Sequence, residues 1–278
     1  MAKPITTRIF TVANQKGGVG KTTSAVNVAA ALAMGGLKTL IIDLDPQGNA
    51  STAFGISRDE VSGMYEVIIK DLPMQSAALK IPGYPSLEVI PATQSLANAE
   101  VELVPMVARE MRLKKSLNNY LLDAANKGER FDYVIIDCPP SLGLLTINAL
   151  VAAQELMIPI QCEYYSLEGL TLLLHTVSLI QEHLNPNIKL TTILLTMFDG
   201  RTRLANDVAA EVRKHYNTEL IDIPIPRAVR ISEAPSYGQT VMTYDPASNG
   251  AEAYGLVARE IARRGAPSSN SNSEKGVG

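Results

Sequence analysis

Residues 13–33 read ANQKGGVGKTTSAVNVAAALA. An apolar run, RIFTVA from Arg8, precedes them, and the Ala-rich part predicts a helix over 21–34 that stops at Gly35-Gly36. A strand, a glycine-rich turn and a helix in that order make a phosphate loop. Glycines let backbone N–H groups turn inward around phosphate oxygens, and the helix N-terminus adds its partial positive charge. Lys21 is placed to reach β- and γ-phosphates, and the Thr22 hydroxyl to ligate Mg²⁺. Against the usual pattern, GxxxxGK followed by Ser or Thr, Gln15 stands where the first glycine belongs and a second lysine, Lys16, follows it. One lysine is enough to hold a phosphate, so Lys16 needs its own explanation.

Outward from the loop, strand-like runs recur: KTLIID from Lys38, LEVIPA from Leu87, YVIID from Tyr133, LMIPI from Leu156 and KLTTILLT from Lys189. Several lack polar alternation, which suits strands buried on both faces of a parallel sheet. Helical patterns lie between them, at 106–125, 168–184, 203–216 and 250–263. The alternation predicts an α/β fold: a doubly wound, mostly parallel sheet flanked by helices. With no internal repeat and no long linker, residues 1–264 read as a single domain, and the Ser/Asn/Gly-rich stretch 265–278 reads as a disordered tail. Asp43 and Asp45 fall just past one buried strand and Asp137 past another. In open parallel sheets ligands bind beyond the carboxyl ends of the strands, so all three aspartates can converge on the phosphate loop.

The loop resembles the deviant Walker A motif, KGGxGK followed by Ser or Thr, of the ParA/MinD-type ATPases. In that family two ATP-bound subunits pack face to face and the first lysine of each reaches the partner's phosphates. On this resemblance Lys16 makes phosphate binding depend on dimerisation, a cation acting much as an arginine finger does. Lys16, Gly17, Gly18, Val19, Gly20, Lys21, Thr22 and Thr23 then surround the nucleotide. Asp137 matches the Walker B position that holds Mg²⁺ through water, Asp45 the residue that positions the attacking water, and Asp43 supports the metal shell. Lys16, Lys21 and Asp45 are the catalytic candidates.

Further segments, DLDPQGNAS, DYVIIDCPPSLGLLT, LTMFDGRTRL and IPRAVRISEAPSYGQTV, occur in the order and spacing of the ParA/Soj partitioning ATPases and extend the resemblance over roughly residues 8–264. It implies an ATP- and Mg²⁺-dependent homodimer that binds double-stranded DNA nonspecifically on the nucleoid and hydrolyses ATP when a ParB-type centromere-binding protein stimulates it. Pro226 and Met197 are expected at the base, although Ala228 stands where Asn is common and one hydrogen bond to adenine is lost. The chain starts a few residues before its first strand, so an added N-terminal DNA-binding domain is not expected.

The net charge is −3, so any DNA contact needs a local patch. On the resemblance that patch is Arg201, Arg203, Arg213, Lys214, Arg227 and Arg230, among which Asp207, Glu211 and Glu219 are interspersed. Arg109, Arg112, Lys114 and Lys115 read as a solvated helix face. Cys138 and Cys162 have no ligand spacing and read as core, and His175, His183 and His215 are scattered. No signal peptide or spanning run is present, which points to a cytoplasmic protein.

Three rivals share this loop. A MinD-like division-site ATPase is the alternative reading; it should end in a basic amphipathic helix, and this polar tail has none, so no membrane partner is expected. A nitrogenase-type iron protein needs cluster cysteines in Gly-rich loops, which are missing. A dethiobiotin-synthetase-like ligase needs a small-molecule pocket, for which the sequence has no motif.

Overall fold

The computed structural model describes residues 1–163 and 166–267, with side chains left out for 166–168. The expected tail lies outside the described residues from position 268 onward. In chain order the elements are β1 (Arg8–Val12), α1 (Lys21–Met34), β2 (Thr39–Asp43), α2 (Asn49–Ala53), α3 (Met64–Ile69), β3 (Leu79–Ile81), β4 (Tyr84–Ile90), α4 (Ala99–Leu103), α5 (Arg112–Asn126), β5 (Tyr133–Asp137), α6 (Leu144–Ala152), β6 (Glu155–Gln161), α7 (Ser166–His183), β7 (Lys189–Thr196), α8 (Arg203–His215), β8 (Leu220–Ile221), α9 (Val229–Glu233), α10 (Val241–Tyr244) and α11 (Asn249–Gly265).

Among the described residues the strands form one sheet in the order β3-β4-β2-β5-β1-β6-β7-β8. Every pairing is parallel except the β3–β4 edge. The all-apolar runs are explained by burial on both faces. Within β5, Val134 and Ile136 enter the core on one side of the sheet, while Tyr133 and Ile135 enter the core on the other. Helices α5, α6 and α7 cover the first side, and α1 and α11 the second. No helix among the described residues is long and apolar enough to cross a membrane.

The doubly wound fold expected from the sequence is present, with differences at particular elements. The helix expected from 106 begins at Arg112, because Ala108 takes a left-handed conformation (φ 51°) and a short 3-10 turn follows it. Helix α6, not foreseen, is apolar on nearly every side, and such a segment carries no helical period to read. Arg112 is not a solvated residue: it pairs with Asp71 at 2.8 Å and donates to the Ile68 carbonyl, holding α5 to the end of α3.

Register sets up the site. Asp43 and Val12 both lie opposite Asp137, so β1, β2 and β5 end level. The loops that leave these three strands therefore start side by side at the carboxyl edge of the sheet.

Candidate nucleotide-binding site

The phosphate loop is anchored from below by two neighbouring strands. Ala13 N–H donates to Met157 O at 3.1 Å and Asn14 Nδ2 to Pro159 O at 2.8 Å, both on β6. At the end of β7, Thr196 donates its hydroxyl to Val19 O at 2.8 Å. Asn14 Oδ1 also accepts the Lys16 N–H at 3.0 Å, which starts the turn. Gly18 and Gly20 have φ of 72° and 83°, values that a side chain would strain. Gly20 is the residue before α1 and brings no side-chain cap, so the first N–H groups of this helix have no side-chain acceptor. They converge where an anion would be held.

A cavity of about 490 Å³ opens there, within the usual range of roughly 300–1,000 Å³ for small-ligand pockets. Gly17, Gly18, Gly20, Lys21, Thr22 and Thr23 line its floor, Asp45, Gln47, Asn49 and Pro140 one side, and Met197, Ile231, Pro235 and Gln239 another. Val19 is buried beneath the loop. Pro226 is not among the lining residues; it bridges to Phe198 beside Met197. Residues 231–241 fall within the stretch IPRAVRISEAPSYGQTV that carries the resemblance, but none of them is named there as a site residue, because their side chains have no spacing that marks a wall. Ala228 is the N-cap of α9 and makes no side-chain cap, so the absent Asn leaves that short helix uncapped.

The charged groups divide into satisfied and unsatisfied. Asp43 Oδ2 accepts from both the N–H and the hydroxyl of Ser51 at 2.7 Å, and its Oδ1 from the Asp45 N–H at 3.3 Å. It thus holds the 45–51 loop in place. Burial pushes its pKa up to about 6, against the Ser51 hydrogen bonds and with help from the Asp45 charge. Asp137 is fully buried with neither carboxylate oxygen hydrogen-bonded. Burial first, and then the neighbouring Asp43, raise its pKa well above the carboxylate range; the nearby Thr22 hydroxyl opposes this without a well-formed bond. Lys21 is buried, and burial lowers its pKa against the pull of Asp137 and Asp45. Its ammonium donates to Lys16 O at 3.1 Å, so the cation rests on its own loop.

An orphaned buried carboxylate beside a threonine hydroxyl and a cradle of free N–H groups fits a hard cation carried in with phosphates. Lys16 lies outside this arrangement: its ammonium pairs with Glu163, and both side chains are partly exposed.

The six expected DNA residues lie around α8 and α9, away from the cavity floor. Five are in ion pairs: Arg201 with Asp199, Arg203 with Asp207, Arg213 with Asp222, Lys214 with Glu211, and Arg230 with Glu233 and Asp245. Arg227 is exposed and has no ion pair among the described residues.

A family model described as an AAA domain matches residues 7–190. The chain is 48% identical over 263 residues to the chromosome partitioning protein ParA of Myxococcus xanthus, covering 94% of this chain and 90% of that one. It is 49% identical over 259 residues to the sporulation initiation inhibitor protein Soj of Bacillus subtilis, covering 93% and 99%. The chain belongs to the ParA/Soj family of partitioning ATPases. Among solved structures it resembles a cobyrinic acid a,c-diamide synthase from Mycobacterium smegmatis crystallised with ADP and magnesium: TM-score 0.78, 37% identity, 93% of this chain and 95% of that one. As a ParA/Soj ATPase it hydrolyses ATP with Mg²⁺, and the cavity is the place its residues offer for both.

Proposed function

We propose that this chain is a DNA-partitioning switch whose ATP-bound form is a sandwich dimer. One observation carries the reading: among the described residues the cavity is lined by a single cation, Lys21, while Lys16 is turned to Glu163. A triphosphate beside Asp45 and Asp137 carries more negative charge than one Mg²⁺ and one ammonium together offset. The Lys16 of a second copy is the missing cation. The Lys16–Glu163 pair is partly exposed on both sides, and pairs of that kind contribute roughly 0–1 kcal/mol, so exchanging Glu163 for a phosphate is easy.

In this scheme the loop N–H groups, Lys21 and Thr23 hold the phosphates, and Thr22 and Asp137 hold Mg²⁺. The metal supplies charge neutralisation on the phosphoryl oxygens. Asp45 orients the attacking water. The dimer binds double-stranded DNA through phosphate contacts without reading sequence. A ParB-type centromere-binding protein stimulates hydrolysis, the subunits separate, and the protein redistributes over the nucleoid within the cytoplasm. The names of its relatives, ParA and Soj, support partitioning.

The test is light scattering with Mg²⁺ and a non-hydrolysable ATP analogue. The 29.9-kDa chain should double in mass, and Lys16→Ala should stay single while still binding nucleotide. Doubling in the variant would refute the cross-subunit lysine. A ligase instead would show hydrolysis that needs a small-molecule acceptor and ignores DNA.

A further inference from the structure

Arg58 lies outside the cavity lining and in none of the motifs. Its guanidinium nevertheless donates to carbonyls of two separate segments. Nη2 donates to Pro46 O at 2.5 Å and Nη1 to Gln47 O at 2.7 Å, within the loop that carries Asp45. Nε donates to Ala92 O at 2.8 Å and Nη2 to Thr93 O at 3.4 Å, just past β4. No carboxylate pairs with Arg58 among the described residues, and all four of the hydrogen bonds above go to backbone carbonyls.

The two loop carbonyls belong to peptide groups whose other ends hold Asp45. A trans peptide points its C=O and N–H in opposite directions. In the Pro46–Gln47 peptide, Arg58 takes the C=O and the N–H donates to Asp45 Oδ1 at 3.0 Å. In the Gln47–Gly48 peptide, Arg58 takes the C=O and the N–H donates to Asp45 O at 2.8 Å. Both planes are thus clamped between Arg58 on one side and Asp45 on the other. Ala92 closes the frame: its C=O accepts from Arg58, and its N–H donates to Ser51 Oγ at 3.0 Å, which itself holds Asp43. Gly48 fits the same frame. At φ 65°, a Cβ there would stand 2.2 Å from Arg58 Nε.

We propose that Arg58 is a positioning residue for hydrolysis, orienting the two peptide planes that hold Asp45, one at its carboxylate and one at its backbone carbonyl. This rests on the reading that Asp45 orients the attacking water. The fork geometry is what matters: a lysine ammonium is a point donor and cannot serve two carbonyls of one segment and two of another.

The experiment compares wild type, Arg58→Ala, Arg58→Lys and Asp45→Ala. Two measurements are made: amide hydrogen exchange without nucleotide, and steady-state hydrolysis with the affinity of a fluorescent ATP analogue. Without nucleotide, Arg58→Ala should speed exchange at Gln47 and Gly48 by about tenfold or more while β5 stays protected. Its kcat should fall about tenfold to a hundredfold with KM and analogue Kd within about twofold, since a misaimed group loses rate rather than binding. Arg58→Lys should recover only a small part. Unchanged kcat in Arg58→Ala overturns the proposal. So does a loss of kcat, affinity and β5 protection in step, which would make Arg58 a strut of the fold. Full turnover in Asp45→Ala overturns the water-orienting reading instead, whatever Arg58→Ala does.

Discussion

Around the phosphate loop, Lys21, Asp43 and Asp137 are buried, and Asp137 has neither oxygen hydrogen-bonded. Along residues 199–230 the charges are exposed, and nearly every arginine already has a carboxylate: Arg201 holds Asp199 at 2.7 Å and Arg213 holds Asp222 at 2.6 Å. The pairing is strong enough to pull Asp199 down to about 2. The contrast separates two kinds of information. An unpaired buried charge costs several kcal/mol and persists only where a ligand offsets it, so it points to a site by itself. An exposed ion pair is worth about 0–1 kcal/mol and points to nothing. The nucleotide site is therefore argued from physics, whereas the DNA surface rests on the resemblance.

The largest effect is expected at Asp45. Asp45→Ala should lower single-turnover hydrolysis about a hundredfold or more while the affinity for a fluorescent ATP analogue stays within a few-fold. The ATP-bound form should then accumulate on DNA. Rapid turnover would remove Asp45 from the chemistry and leave the cavity's charges without a division of labour.

Asp137→Asn sharpens the contrast through stability. The folded pKa of Asp137 is raised by burial, above an unfolded value of about 3.9. Between those values the native state keeps a proton that the unfolded chain releases, so this group lowers stability as pH rises. Every tenfold difference in proton affinity between the two states corresponds to about 1.4 kcal/mol. Without nucleotide or Mg²⁺, the asparagine variant should melt a few °C higher than wild type at pH 7.5, and the gain should vanish toward pH 4. With nucleotide it should lose the Mg²⁺ dependence of binding. A variant that melts lower at pH 7.5 would mean that the carboxylate is satisfied in the folded chain, and the contrast with 199–230 would fail.

How much of this was legible follows from the same distinction. The phosphate loop, the six central strands and the three aspartates declare themselves by local chemistry: glycines before GKT, runs without polar alternation, acids at strand ends. Asp43 was placed near the metal because its position along β2 was visible, but the Ser51 side chain that takes its oxygen was not. The place of 231–241 in the cavity wall and the role of Arg58 were illegible for another reason. They act through contacts between segments distant in sequence, as where Gly238 approaches Gly55 so closely that a Cβ on Gly238 would meet the Gly55 Cα at 2.9 Å. Hydrophobic period carries no record of such contacts. The pairing along 199–230 was partly legible, since the interspersed acids were visible, but which acid meets which base needed coordinates.

The smallest effect tests the weaker half of the comparison. If free charge is what binds phosphate, Arg227, which has no ion pair among the described residues, should contribute more to DNA affinity than Arg213. A phosphate that reaches Arg213 has to displace Asp222, whose two oxygens accept from Nε and Nη2 at 2.6–3.1 Å. In a salt titration of the ATP-bound form, Arg227→Ala should weaken binding several-fold and flatten the slope of log K against log salt by about 0.9 for each phosphate it no longer neutralises. Arg213→Ala should stay within about twofold, with the slope unchanged. Both variants remove one positive charge per chain, so a long-range field effect would treat them alike. A difference between them can only come from contact, and equal losses would show that local pairing in the single chain does not decide which arginines meet DNA.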